Sequence, residues 1–264
     1  MAEEEQTNAL IEKAADLIVN GKKIVVFTGA GVSTESGIPD FRSPGGIWTR
    51  YDPDIFTYER FVNDPEARKT HWQLLAGREF ITPDVQPNAS HYAAAELEKM
   101  GKLSCVITQN VDNLHERARN SPEKVLHLHG NLENAKCLGC GYSVSMDEVR
   151  TWFESGTEVP DCPQCGGLLK PDAVFFGEAL PMQELNEAQH RSQNCDVCVV
   201  IGSSLVVYPA ALMPHYAEQA GARMIIVNRD PTDLDSSSDV CIHASAGETM
   251  SQIMELVRAQ LKES

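Results

Sequence analysis

The stretch Ile24-Val25-Val26-Phe27-Thr28-Gly29-Ala30-Gly31-Val32-Ser33-Thr34 decides the fold. Four apolar residues in a row, three of them β-branched, run straight into a glycine-rich turn. A short continuous apolar run bounded by glycine reads as a strand covered on both faces, which is the habit of a parallel sheet. Upstream, Leu10, Ile11, Ala14, Leu17 and Ile18 recur at helical spacing, and Asn20-Gly21 closes that helix. Downstream, strand-like runs follow at 104–109, 125–129, 196–201, 223–228 and 240–243. Helical patterns are predicted between most of them, at about 88–100, 181–193, 208–220 and 247–262. Strands alternating with helices predict an α/β fold, a doubly wound parallel Rossmann-like sheet.

Two stretches break the rhythm. Residues 43–80 are rich in aromatics, proline and charge, as in Ser43-Pro44-Gly45-Gly46-Ile47-Trp48, and are expected to be a helical insert. Residues 131–170 carry four cysteines and are expected to be a small metal-binding module. The remaining segments, 1–42, 81–130 and 171–264, would make the sheet domain. Ligands of open α/β sheets sit beyond the carboxyl ends of the strands, so inserts leaving from there would roof a site.

Composition excludes several classes. Of 264 residues, 42% are hydrophobic and 23% charged, an ordinary globular balance. The net charge of −16 argues against nucleic acid or an anionic membrane surface as partner and is compatible with a basic, lysine-rich one. No apolar run approaches the roughly 18 residues of a spanning helix, and the acidic start Met1-Ala2-Glu3-Glu4-Glu5 is unlike a secretion signal. The expectation is a cytoplasmic protein with reduced cysteines.

Cys137-x-x-Cys140 and Cys162-x-x-Cys165 are two knuckles 21 residues apart. Four thiolates without histidine match one closed, tetrahedral structural zinc. The third pair, Cys195 and Cys198, opens an apolar strand, where side chains three apart point to opposite faces; these are read as core, and Cys105 and Cys241 as core or pocket lining.

Gly29, Ala30, Gly31 and Thr34 form an incomplete dinucleotide fingerprint: the third glycine position is Thr34, and no acidic residue closes a second strand about 20 residues on. The next segment, Gly37-Ile38-Pro39-Asp40-Phe41-Arg42, sets an aromatic ring and an arginine beside the would-be phosphate cradle. Thr108-Gln109-Asn110-Val111-Asp112 and His127-Leu128-His129-Gly130 end strands in polar groups. A histidine there suits a general base near neutral pH, but alternation puts His127 and His129 on one face and does not choose between them. Gly202-Ser203-Ser204 and Asn228 add small polar groups at two further strand ends.

These motifs, with the cysteine module and Pro171, Val174-Phe175-Phe176-Gly177-Glu178, occur in the order seen in sirtuins, the NAD-dependent protein lysine deacylases. The chain resembles that family from about residue 7 to its C-terminus. The resemblance implies that NAD is consumed as a co-substrate held by Gly29, Ala30, Gly31, Thr34, Ile38, Phe41, Arg42, Gln109, Asn110, Val111 and Asp112, with Gly202, Ser203, Ser204, Asn228 and Ala246 on the adenosine half. It implies His129 as the base, with Asn110 and Asp112 in the catalytic set. Val174, Phe175, Gly177 and Val207 would flank an acyl-lysine peptide. Sirtuins that prefer succinyl or malonyl lysine carry a Tyr-x-x-Arg pair in the first insert; here Tyr51 is followed by Asp54 and Tyr58 by Phe61, so uncharged acyl groups, acetyl first, are expected. The products would be nicotinamide, O-acyl-ADP-ribose and free lysine. Protein ADP-ribosyl transfer on the same scaffold and a non-enzymatic NAD sensor are the alternatives.

Overall fold

The computed structural model describes residues 2–76 and 84–263; the insert boundary expected at 80/81 lies outside them. The strands are β1 (Ile24–Thr28), β2 (Leu103–Thr108), β3 (Val125–His127), β4 (Gly130–Cys137), β5 (Ser143–Ser145), β6 (Leu169–Ala173), β7 (Val197–Ile201), β8 (Arg223–Val227) and β9 (Val240–Ile242). The helices are α1 (Ala2–Asn20), α2 (Tyr58–Asn63), α3 (Pro65–Ala76), α4 (Ala89–Lys99), α5 (Leu114–Arg117), α6 (Met146–Glu154), α7 (Met182–Gln193), α8 (Leu212–Gln219) and α9 (Ala246–Glu263).

The apolar run of β1 divides its side chains by the two-residue period of a strand. Ile24 and Val26 join one core, with Ile18 of α1, Leu97 of α4 and Ile253 of α9. Val25 and Phe27 join the other, with Ala188 of α7 and Met213 of α8. Both faces of the sheet are therefore covered, which is why its strands are apolar throughout rather than alternating. The sheet has six parallel strands in the order β3-β2-β1-β7-β8-β9. The order runs outward from β1 to β3 and then returns to β7 beside β1, so the switch point lies between β1 and β7.

The second sheet is small and antiparallel, in the order β5-β4-β6. The sequence gives no strand signal there. Asn131, Glu133, Asn134 and Lys136 of β4 face partly to solvent, and the pairing with β6 is irregular between Gly130 and Ala135, so no clean alternation survives. A third core joins this sheet to the 43–76 insert: Phe61 and Trp72 from α2 and α3 pack with Ala135, Val149, Leu169 and Phe175.

Three expected elements shift. The strand predicted over 125–129 pairs only through His127, since Gly130, at φ +67°, already starts β4. The helix predicted from 208 starts at Leu212, after a turn through Tyr208–Ala211. The segment after β1, read from the sequence as a glycine-rich turn, winds into a 3-10 helix, Ala30–Ser36. Cys195, Cys198 and Cys105 lie in the core as expected, but Cys195 and Cys198 share one face of the sheet rather than opposite ones, because Cys195 precedes β7 and strand alternation does not reach it.

Candidate active site

At the switch point the backbones of two loops meet. Gly29 N donates to Ile201 O at 3.2 Å and Gly31 N to Gly202 O at 2.9 Å. A Cβ on Gly29 would lie 2.8 Å from Gly202 O, and one on Gly31 2.8 Å from Gly202 Cα. Gly202 itself has φ +61°. Glycine is required here by close approach, leaving a cradle lined by peptide groups.

This cradle opens into a cleft of about 370 Å³. Of the residues expected to hold cofactor or substrate, it gathers Gly29, Ala30, Gly31, Ile38, Phe41, Arg42, Gln109, Asn110, Val111, Asp112, His129, Val174, Phe175, Gly177, Gly202, Ser203, Ser204, Val207 and Asn228. Thr34 lines a neighbouring shallow pocket with Gly37 and Arg50, and Ile38 and Pro39 border both. Ala246 is not brought in; it is buried in the α1–α9 core at the start of the last helix.

His129 and His127 do not share a face. Pairing stops at His127, so alternation no longer governs His129. His127 Nε2 meets Glu116 Oε1. Burial alone would lower its pKa, but the Glu116 carboxylate outweighs this and raises it. His129 lines the cleft, with Nδ1 2.9 Å from the Gln109 carbonyl oxygen. A carbonyl only accepts, so Nδ1 carries the hydrogen and Nε2 carries the lone pair. Burial lowers the His129 pKa, against the opposing pull of that carbonyl. The ring is a neutral base at pH 7.

Behind it stands a polar network. Ser33 Oγ donates to Asp112 Oδ2 at 2.6 Å, and Asn110 Nδ2 donates to Ser33 Oγ at 3.1 Å and Asp112 Oδ2 at 3.3 Å. Leu114 N holds Asp112 Oδ1 at 3.0 Å. His91 belongs to the capping box of α4: its Nδ1 accepts from Asn88 N at 3.2 Å, so Nε2–H points to Ser33 Oγ, 3.5 Å away. Burial pushes its pKa down to about 4, although Asp112 pulls the other way. Gln109 Nε2 donates to Ser203 Oγ at 2.9 Å, bridging β2 to β7.

Residues 43–76 supply cleft walls that no sequence signal marked: Trp48, Phe56, His71 and Leu75. Trp48 lies 5.7 Å from the Phe41 ring, and the Arg42 guanidinium sits 4.5 Å over it. Across the cleft, Val174 N donates to His129 O at 2.8 Å, tying the 174–177 segment to His129. Buried Lys170 braces that segment through Ala173 O at 2.6 Å and Glu178 Oε2 at 3.1 Å. Arg42 is the one arginine or lysine among the described residues that line the cleft.

The four cysteines converge. Their sulfurs lie within 4.8 Å of one another, with Cys137 and Cys165 at 3.5 Å and Cys140 and Cys162 at 3.6 Å. Tetrahedral zinc with bonds of about 2.3 Å sets sulfurs about 3.8 Å apart. The knuckles are alike: Gly141 N donates to Cys137 O at 3.0 Å and Gly166 N to Cys162 O at 2.8 Å. N–H groups of Cys140 and Gly139 turn to Cys137 Sγ and lower its pKa to about 6. The cluster fits one structural zinc, with no position left for substrate.

The Sir2 family model matches residues 29–209. The NAD-dependent protein deacetylase 1 of Pyrobaculum aerophilum is 44% identical over 253 residues, 95% of this chain and 96% of that one. Among solved structures, one described under the mechanism and regulation of Sir2 enzymes is 45% identical, covers 95% of this chain and 98% of its own, and superposes with a TM-score of 0.86. A second, a Sir2 variant with a deacetylated p53 peptide and 3′-O-acetyl-ADP-ribose, is 37% identical, covers 93% and 97%, and superposes at 0.85. With the profile spanning both sides of the switch point and these relatives matching nearly end to end, the chain belongs to the Sir2 family.

Proposed function

We propose that the protein removes acetyl or other uncharged acyl groups from lysine side chains of proteins, consuming NAD and releasing nicotinamide, O-acyl-ADP-ribose and free lysine. One observation carries this most directly: a buried, neutral His129 with its lone pair on Nε2, lining one cleft together with the glycine cradle and apolar residues such as Phe56 and Leu132.

The roles follow from placement. Gly29, Ala30, Gly31 and Gly202 present peptide groups to the NAD phosphates, with Thr34 and Arg42 at the rim. Ser203, Ser204 and Asn228, at the ends of β7 and β8, take the adenosine hydroxyls. Asn110, Val111 and Asp112 line the nicotinamide end with Ile38; the Ser33 and Leu114 bonds hold Asp112 at a fixed angle. Phe41, steadied by Trp48, closes the reacting sugar carbon to water. His129 Nε2 takes the proton of a ribose hydroxyl. Val174, Phe175, Gly177 and Val207 receive the peptide, whose backbone adds as a strand.

The acyl arm is bounded by Phe56, His71, Leu75 and Leu132; of the two residues that stand three after a tyrosine in the insert, Asp54 is acidic and Phe61 is fully buried in the third core. A carboxylate entering that arm would lose water and meet no cation among its described residues. Uncharged acyl groups fit it.

We assign the sheet segments to NAD, the 43–80 insert to the cleft roof and 131–170 to the zinc module. A small antiparallel sheet and the third core support that division. Among the described residues no helix is long and apolar enough to cross a membrane. Eight unpaired cysteines favour a reducing compartment, and we place the protein in the cytoplasm.

The test is incubation of the purified protein with an acetyl-lysine peptide, with and without NAD, followed by mass spectrometry. NAD-dependent loss of acetyl with equimolar O-acetyl-ADP-ribose is expected. ADP-ribose attached to protein, with the peptide still acetylated, would replace this function by ADP-ribosyl transfer.

A further inference from the structure

At the far edge of the parallel sheet, away from the four-cysteine cluster, three groups of different chemistry converge. Cys241 lies on β9 and His243 just beyond it, so the two-residue period puts both on one side of the strand. Asp235 comes from the loop joining β8 to β9. The Cys241 sulfur, a His243 ring nitrogen and an Asp235 carboxylate oxygen all lie within 4.8 Å of one another. Cys241 Sγ is 3.6 Å from His243 Nε2, and His243 Nε2 is 3.2 Å from Asp235 Oδ2.

We propose that Asp235, Cys241 and His243 form a second metal site, for zinc or a zinc-like divalent ion such as cobalt(II), with the fourth position open to water. Tetrahedral zinc, with bonds of about 2.3 Å to sulfur and about 2.0–2.1 Å to nitrogen and oxygen, holds sulfur and nitrogen about 3.6 Å apart and nitrogen and oxygen about 3.4 Å apart. Both spacings are met before any ion is added. The mixed thiolate, imidazole and carboxylate set suits zinc rather than magnesium or calcium, which favour oxygen alone.

The surrounding bonds point the ligand atoms inward. His243 Nδ1 donates to Asn228 O at 3.0 Å, so Nε2 is the ring nitrogen turned to Cys241 and Asp235. The Thr232 hydroxyl donates to Asp235 Oδ1 at 2.6 Å, so Oδ2 is the oxygen turned to the site. Such outer bonds to a ligating histidine and carboxylate are the usual companions of a metal site. His243 is 42% exposed along its side chain, which gives the ion a way in and the fourth position water. On binding, the Cys241 thiol proton leaves to solvent as the sulfur–metal bond forms. No electron moves. The ion would pin the 229–239 loop to β9, beside Asn228, which lines the cleft.

The test uses the full chain with its four-cysteine zinc in place. Cobalt(II) is titrated in, the near-ultraviolet and visible spectrum is recorded, and zinc and cobalt are counted by mass spectrometry. One further equivalent of metal is expected while one zinc is retained, with a thiolate-to-cobalt charge-transfer band and the intense visible bands of a four-coordinate ion. Cys241→Ser should abolish the charge-transfer band, and Asp235→Asn should weaken cobalt binding at least tenfold, each keeping its one zinc. Saturation at a single metal per chain overturns the proposal, as does a second equivalent that binds Cys241→Ser with the band intact. Should Cys241→Ser also lose the first zinc, Asp235→Asn decides: tenfold weaker binding with one zinc retained supports the site, and unchanged binding overturns it.

Discussion

His129 shows how much one side chain owes to its neighbours. The Gln109 carbonyl settles which nitrogen carries the lone pair, and burial keeps the ring unprotonated. Removing the ring removes proton transfer but leaves the cleft, so His129→Ala should lower kcat by on the order of 10²-fold or more while NAD still binds. Stopped-flow or steady-state turnover with an acetylated peptide checks this, and near-normal turnover would exclude the assignment. The direction of the pKa shift sets the pH profile. A lowered pKa means the base takes up its proton only below the ordinary histidine value of about 6.5. The acid limb of kcat/KM should therefore have its midpoint below pH 6.5. A limb centred at or above 6.5 would contradict a buried neutral base. Alternation alone could not make this choice, since His127 and His129 look equivalent by it; only the family resemblance singled out His129. What separates them is Glu116, which claims His127 from another element, and the end of the β3 pairing. His71, His91 and the Ser33–Asp112 bond were equally hidden, because each depends on contacts between segments far apart in the chain.

Elements were legible where burial was symmetrical. β1, β2, β7, β8 and β9 are short apolar runs because helices cover both faces, and the helices between them carry regular apolar stripes. β4 was not, because its polar side chains interrupt alternation and its ladder is broken. Nor were α2 and α3, whose aromatic residues face a core made by another element. The glycine-rich turn was visible, but its meaning was not: a fingerprint defective by motif is complete by geometry, since Gly202 from β7 supplies the third close approach that Thr34 does not. That makes Gly202 the sharpest probe at this scale. A Cβ there would overlap Val32 N and Gly31 C, and φ is +61°. Both neighbours are backbone and cannot rotate away. Gly202→Ala should push the β7 loop out of the cradle, lower stability by more than about 1 kcal/mol and weaken NAD binding at least tenfold. Thermal unfolding and calorimetric NAD titration read the two effects, and wild-type NAD affinity would show that the cradle does not need the contact.

At the scale of the molecule, two units meet along one cleft and are held by different physics. The parallel sheet has two apolar cores of its own. The antiparallel sheet has β strands of only three, five and eight residues, too little for a self-sufficient core. It depends on the metal cluster and on Phe61, Trp72 and Phe175, which belong to the insert and to the segment bonded to His129 O. Zinc loss should therefore be felt asymmetrically. The knuckles would open, Cys137 and Cys162 would leave the third core, and Phe175 would lose the surface that fixes the segment bonded to His129 O. The cradle at Gly29, Gly31 and Gly202 rests on the other two cores and would persist. Removing the zinc with a strong chelator, or breaking the cluster with Cys162→Ser, should cut deacylation at least tenfold and leave NAD binding within a few-fold of the intact protein. Zinc content, peptide turnover and NAD affinity measured on one sample decide it. Equal loss of NAD binding would mean that the two units fold as one, and unchanged turnover would mean that the third core holds the peptide side without its metal.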